Sequence, residues 1–146
     1  MRYAWSSLIA GLVLGQLAVV DFAKAAIPRA LNYEQGNRSS LIDAQDDFTP
    51  EGWQEFMTWL HEYVDDKGAP TGSSLFTSTS DAVVKSQEAG AIRLAIRGTL
   101  KQQSKNAYGG LSTTTYRVTV DIEAGGSPLK IRHLKTTTCG AKPCAE

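Results

Sequence analysis

The 146-residue chain carries two cysteines, two histidines, two methionines and no net formal charge. Each scarcity removes a class of function. With His61 and His133 as its histidines, neither beside a nucleophile motif, a Ser-His-Asp or Cys-His arrangement has few ways to form. No H-E-x-x-H pattern, Cys-rich zinc spacing or Gly-rich loop following a strand is present, so no catalytic, metal or cofactor-binding residue is assigned and no cofactor is expected. The basic residues Arg93, Arg97, Lys101 and Lys105 lack interleaved aromatics on which bases could stack, which argues against a nucleic-acid partner. Internal repeats, sustained heptads and low-complexity tracts are also missing.

The chain also lacks a long hydrophobic run. Arg2 precedes an apolar stretch from Leu8 to Val20, interrupted by Gln16 and closed by Asp21. A spanning helix needs about twenty apolar residues. Ala23-Lys24-Ala25 supplies the small residues at −3 and −1 that a signal peptidase requires. The expectation is therefore a signal peptide over residues 1–25, cleaved before Ala26, and an exported chain with no stable membrane span afterwards. Residues 26–138 are enough for one domain with one core. Residues 139–146 form a tail in which Cys139 and Cys144, in an oxidising compartment, are expected to pair as a disulfide. So small a loop contributes about 2 kcal/mol and stiffens the tail alone. A zinc site would need more ligands than this pair and His133 offer, and the C-x-x-C spacing of exchange motifs is absent.

What is present begins with FTPEGWQEF, Phe48 to Phe56, a complete helix start. Thr49 is an N-cap, Pro50 occupies the first helical position, where its missing N–H costs nothing, and Glu51 faces the positive end of the dipole. Phe48 and Trp53 flank the cap as a hydrophobic staple. Trp53, Phe56, Met57, Leu60 and Val64 then recur at helical spacing to about Asp65, and Gly68 and Pro70 end the element. Trp59 and Tyr63 fall on a neighbouring face, one turn apart. They either cover the flank of the helix or form an exposed anchor for a partner.

Upstream, Leu31 to Ala44 reads as a helix weakened by Gly36, Ser39 and Ser40. Downstream the period becomes two. Leu75 to Thr79, Ala82 to Gln87, Ala91 to Lys101, Thr113 to Glu123 and Leu129 to Thr137 are predicted strands, with Gly98 a possible bulge site and Gln102 to Gly110 a turn. Helices first and antiparallel strands afterwards make an α+β fold with the helices on one face of a curved sheet. Charge divides likewise: Glu34 to Glu88 holds eleven acidic residues against three basic, whereas Arg93 to Glu146 holds nine basic against three acidic. Either the halves attract each other within the fold, or the surface is polarised for docking.

The segment LNYEQGNRSSLIDAQDD, Leu31 to Asp47, followed by FTPEGWQEF and a strand-rich second half, resembles the DotI/IcmL family of type IVB (Dot/Icm) secretion systems and the related TraM proteins of conjugation. The likeness spans roughly Leu31 to Thr137 and is most specific at Asn32, Tyr33, Phe48, Thr49, Gly52, Trp53 and Phe56. It implies a cone-shaped, nuclear-transport-factor-like periplasmic domain acting as a non-catalytic scaffold in an inner-membrane complex. No catalytic residues carry over. Family members keep a membrane helix ahead of this domain, so a cleaved leader is a departure and leaves a protein recruited by contact.

These readings converge on a non-enzymatic periplasmic component or accessory of a type IVB secretion or conjugation apparatus, peripheral to the inner membrane. Its expected partners are secretion-system envelope proteins, with self-association open, and Trp59 and Tyr63 are the expected contacts. The rivals are an enzyme or small-molecule binder using Tyr116, His133 and Asp121, and a free-standing periplasmic or secreted protein.

Overall fold

The computed structural model describes residues 2–88, 90–105 and 108–139, with side chains from residue 16 onward. Its N-terminal element is a helix, α1 (Arg2–Leu31), that presents Val19, Ala23, Ala26, Ile27, Ala30 and Leu31 to the core. These positions repeat at intervals of three and four, the stripe a helix needs to lie on a sheet. The helix runs through Ala25–Ala26 without a break, and Ala23 and Ala26 are both fully buried. Among the described residues, no helix is long and apolar enough to cross a membrane.

The helix expected from Leu31 to Ala44 does not form as one piece. Leu31 is the last residue of α1, Asn32 lies just past it, Tyr33 bridges to Ser74, and α2 is confined to Arg38–Ile42. Gly36 at φ +75° turns the chain, and the Asn37 side chain accepts from Ser40 N to start α2 afresh. Of the residues that weakened the expected helix, Gly36 makes the turn, while Ser39 and Ser40 lie within the short α2 that Asn37 caps. A 3-10 turn over Gln45–Asp47 leads to α3 (Pro50–Leu60), and a second over His61–Tyr63 follows it. The α-helix thus ends earlier than the expected Asp65. At its start Thr49 Oγ1 accepts from Gly52 N at 3.0 Å, with Pro50 at the first position.

The five strands are β1 (Gly72–Ser78), β2 (Val83–Glu88), β3 (Ala91–Lys105), β4 (Leu111–Gly125) and β5 (Lys130–Thr138). All pairings are antiparallel. β3 is central, flanked by β4 on one side and by β1 and β2 in succession on the other, and β5 lies beyond β4. β3 and β4 extend further than the alternation indicated, pairing without interruption from Ala91↔Gly125 to Lys105↔Leu111. Much of the expected Gln102–Gly110 turn is therefore ladder. Gly98 is not a bulge, since the register is continuous through it; its missing Cβ leaves room for the Phe76 ring and the Thr77 carbonyl. The irregularities fall instead at Val84/Ser86 and Glu123/Ala124.

The core lies between the helices and one sheet face. Phe56, Leu60, Leu94, Ile96, Val118, Val120, Ile122 and Ile131 are buried in it together with the α1 stripe. Trp53, Met57 and Val64 are only partly buried at its margin.

Candidate docking surface

The residues singled out near the N-terminus meet the sheet at its two opposite edges. A sheet edge exposes a row of unpaired N–H and C=O groups, and covering it is a structural requirement. At the β1 edge, Tyr33 N donates to Ser74 O at 3.1 Å and Ser74 N returns a bond to Tyr33 O at 2.9 Å. One pleat further, Phe76 N donates to Asn32 Oδ1 at 2.7 Å. Burial pushes the Tyr33 phenol above its ordinary value, with hydrogen bonds to Ser74 and Gln102 pulling the other way.

At the β5 edge, Phe48 bridges to Ile131 and Thr49 N donates to Ile131 O at 2.9 Å. Helix α3 then passes so close that a Cβ on Gly52 would stand 2.6 Å from Ile131 O and 2.8 Å from Arg132 O. Asn32, Tyr33, Phe48, Thr49, Pro50 and Gly52 thus cap edges and start a helix. None of them meets another in a reactive constellation.

From Phe48 outward runs a ladder of rings. Phe48 packs on Trp53 edge-on (5.4 Å between centroids) and stacks on Phe56 (5.2 Å). Phe56 stacks on Trp59 (5.9 Å), and Trp59 leans on Tyr63 (6.2 Å). Exposure rises along the ladder: Phe56 is 1% exposed, Trp59 and Tyr63 each 40%. The buried rings set the outer two in place at little further entropic cost, the arrangement of an anchor residue.

Charged groups tie the helices down. Arg29 makes a bidentate pair with Asp47, at 2.7 and 3.0 Å, and that hydrogen bonding raises the guanidinium above its ordinary value. His133 Nδ1 lies 2.9 Å from Glu55 Oε2, joining β5 to α3, and its Nε2 lies 3.9 Å from Glu123. Arg93 pairs with Glu123 at 3.3 Å. His61 Nδ1 lies 2.7 Å from Thr58 O in the last turn of α3.

The three groups offered for catalysis do not converge. Tyr116 and Asp121 stand an odd number of residues apart on β4, so strand alternation directs them to opposite faces. His133 is engaged with Glu55. Among the described residues, no three His, Cys, Asp or Glu side chains are placed to hold a metal ion. Asp121 lines a groove of about 630 Å³ on the outer sheet face with Asp81, Lys85, Arg97 and Thr119. Cys139 N donates to Arg117 O at 2.8 Å. Its expected disulfide partner Cys144 lies outside the described residues.

Sequence reasoning named the edge-capping residues without their task. Asn32 and Tyr33 carry no local signal for it, because the strand they cap is more than forty residues away.

No protein-family model and no curated protein matches this chain. Solved structures do. An IcmL-like type IV secretion system protein from Legionella pneumophila aligns over 88% of this chain and 96% of its own, with 14% identity and a TM-score of 0.59. The periplasmic domain of DotI aligns over 84% of this chain and 94% of its own, with 17% identity and a TM-score of 0.58. CagV of Helicobacter pylori, a VirB8 homologue, aligns over 84% and 98% respectively, with 17% identity and a TM-score of 0.58. The resemblance read from Leu31 to Thr137 therefore holds as structural likeness, and the chain has the α+β, nuclear-transport-factor-like fold of these type IV secretion proteins and their periplasmic domains.

Proposed function

We propose that this protein is a non-enzymatic periplasmic component or accessory of a type IVB secretion or conjugation apparatus. It works by protein–protein contact, and Trp59 and Tyr63 anchor an envelope protein of that apparatus. The observation that carries the reading is the aromatic ladder, whose inner rings are buried while its outer two stay 40% exposed. The structural likeness to IcmL-like, DotI and VirB8-type proteins supports the choice of partner class.

Export in this reading uses residues 1–25 as a leader removed before Ala26, leaving the domain at the periplasmic side of the inner membrane. A cut there takes Val19 and Ala23 from the core, so it has to precede folding: a peptidase groove cannot receive Ala23 while it is 0% exposed. In the same compartment Cys139 and Cys144 close the tail with a disulfide.

The test is affinity purification of the tagged protein from its host in mild detergent, followed by mass spectrometry, alongside Trp59→Ala. Stoichiometric secretion-channel or coupling proteins with the wild type, and their loss with the variant, are expected. A clean monomer from the host would reject the reading. The outer groove with its mixed charges favours a second reading, a binder of small polar molecules. Saturable binding of such a compound, sensitive to Asp121→Asn and not to Trp59→Ala, would establish it.

A further inference from the structure

The sheet's other margins are capped or guarded. Asn32 and Tyr33 close β1, and Phe48 and Thr49 close the start of β5. β2 carries Lys85 and an irregularity between Val84 and Ser86, and the rest of β5 carries His133 and Lys135. Lysines and bulges on an edge are the usual protection against pairing with another chain.

One margin differs. β4 pairs with β5 from Val118 to Gly125, and Cys139 N adds a last bond to Arg117 O. Before Arg117, from Leu111 to Tyr116, β4 has β3 on one side and no described strand on the other. Because Arg117 O points toward β5, strand alternation directs the N–H and C=O of Thr115, Thr113 and Leu111 to that same side, where no described strand lies. The stretch Leu111-Ser112-Thr113-Thr114-Thr115-Tyr116 contains no charge, no proline and no register shift. Leu111 to Thr115 are exposed. Three of the six are threonine and a fourth is tyrosine, residues that favour strands.

We propose that the Leu111–Tyr116 edge of β4 pairs antiparallel with the same edge of a second copy of this chain. A two-fold axis at Thr113 sets Thr113 against Thr113, Leu111 against Thr115 and Ser112 against Thr114. The residues whose backbone groups point outward then exchange both hydrogen bonds. Threonine facing threonine is a favourable cross-strand pair. In this register Arg117 falls beyond the partner strand, beside its own chain's Cys139, so no cation faces a cation. The self-match of a neutral edge selects a second copy over a charged foreign segment. The joined β3–β4 arms form one continuous sheet across the axis. The pairing is independent of the secretion reading and of Trp59, which lies on α3.

Cysteine cross-linking of the full chain in its host tests this, in a Cys139→Ser/Cys144→Ser background. Thr113→Cys places the two thiols on residues about 5.5 Å apart at Cα, within disulfide reach. Lys101→Cys, on the same exposed face but on β3, is the control. The expected result is a covalent dimer with Thr113→Cys, formed at least about ten times faster than with Lys101→Cys, and its loss when Thr115→Pro removes an outward N–H. Equal cross-linking of Thr113→Cys and Lys101→Cys would overturn the proposal, as would a cross-link that survives Thr115→Pro. Thr113→Lys, which adds a guard charge without touching the β3 ladder, gives an independent check: it should abolish co-purification of differently tagged copies, and persistence would count against the pairing. Trp59→Ala should leave both readouts unchanged.

Discussion

Gly52 shows how narrowly a single residue can be constrained. A Cβ at that position would meet two carbonyl oxygens of β5, and backbone cannot swing aside as a side chain can. Gly52→Ala is therefore expected to lower stability by about 1–3 kcal/mol, the range for forcing extra volume into a packed contact, measured by urea denaturation. Trp53, at the margin of the core, should cost about 3 kcal/mol on truncation to alanine, because it loses its edge contact with Phe48 and its packing on Phe56; an unchanged denaturation midpoint would contradict the packing described here. Asp65 offers a pH test. Its carboxylate accepts from Ala69 N and Lys67 N, at 3.0 and 2.8 Å, and these bonds hold it below the usual carboxylate range. A depressed folded value means that its contribution is present at neutral pH, is lost as pH falls through that value, and is absent in stronger acid. The amide resonances of Lys67 and Ala69 should shift together, with a midpoint below that of an ordinary aspartate.

At the scale of elements, α1 raises the sharpest question, because the expected leader boundary lies inside it. A chain beginning at Ala26 keeps Ala26, Ile27, Ala30 and Leu31 and loses the buried Val19 and Ala23. It should be less stable than one beginning at Gln16 by about 2–3 kcal/mol, read as a shift in thermal midpoint. Mass analysis of the exported protein then reports which form the host makes: an Ala26 terminus establishes cleavage, and an intact N-terminus establishes retention. Helix α3 was legible because cap, proline, dipole charge and apolar period all agree within one short stretch. The segment before it was not, since Gly36 and Asn37 compete with the helical period and the bonds that settle the matter come from Ser74 and Phe76, far along the chain. Strand positions were readable from alternation, whereas the lengths of β3 and β4 were not. Past Lys101 and before Thr113 the arm leaves the core, and its faces stop being sorted by polarity.

For the whole molecule, function is a matter of surfaces. Trp59→Ala should leave the denaturation curve within about 1 kcal/mol of wild type while weakening partner binding by more than about 1 kcal/mol, measured by titration calorimetry against the recovered envelope protein. Equal affinity would return Trp59 to the role of helix cover. The two halves also meet through the Glu55–His133 contact between α3 and β5. What the amino-acid sequence determined by itself was local: helix α3 with its cap, the antiparallel strands and the α+β class. Those follow from backbone preferences and apolar period, which act over a few residues. Tertiary structure alone decided that Asn32–Tyr33 and Phe48–Thr49 close opposite sheet edges, that Trp59 and Tyr63 stand out of the core, and that the Leu111–Tyr116 edge has no described neighbour. Each of those depends on which distant segment arrives to satisfy a backbone hydrogen bond or cover a ring, and that is a property of the assembled sheet.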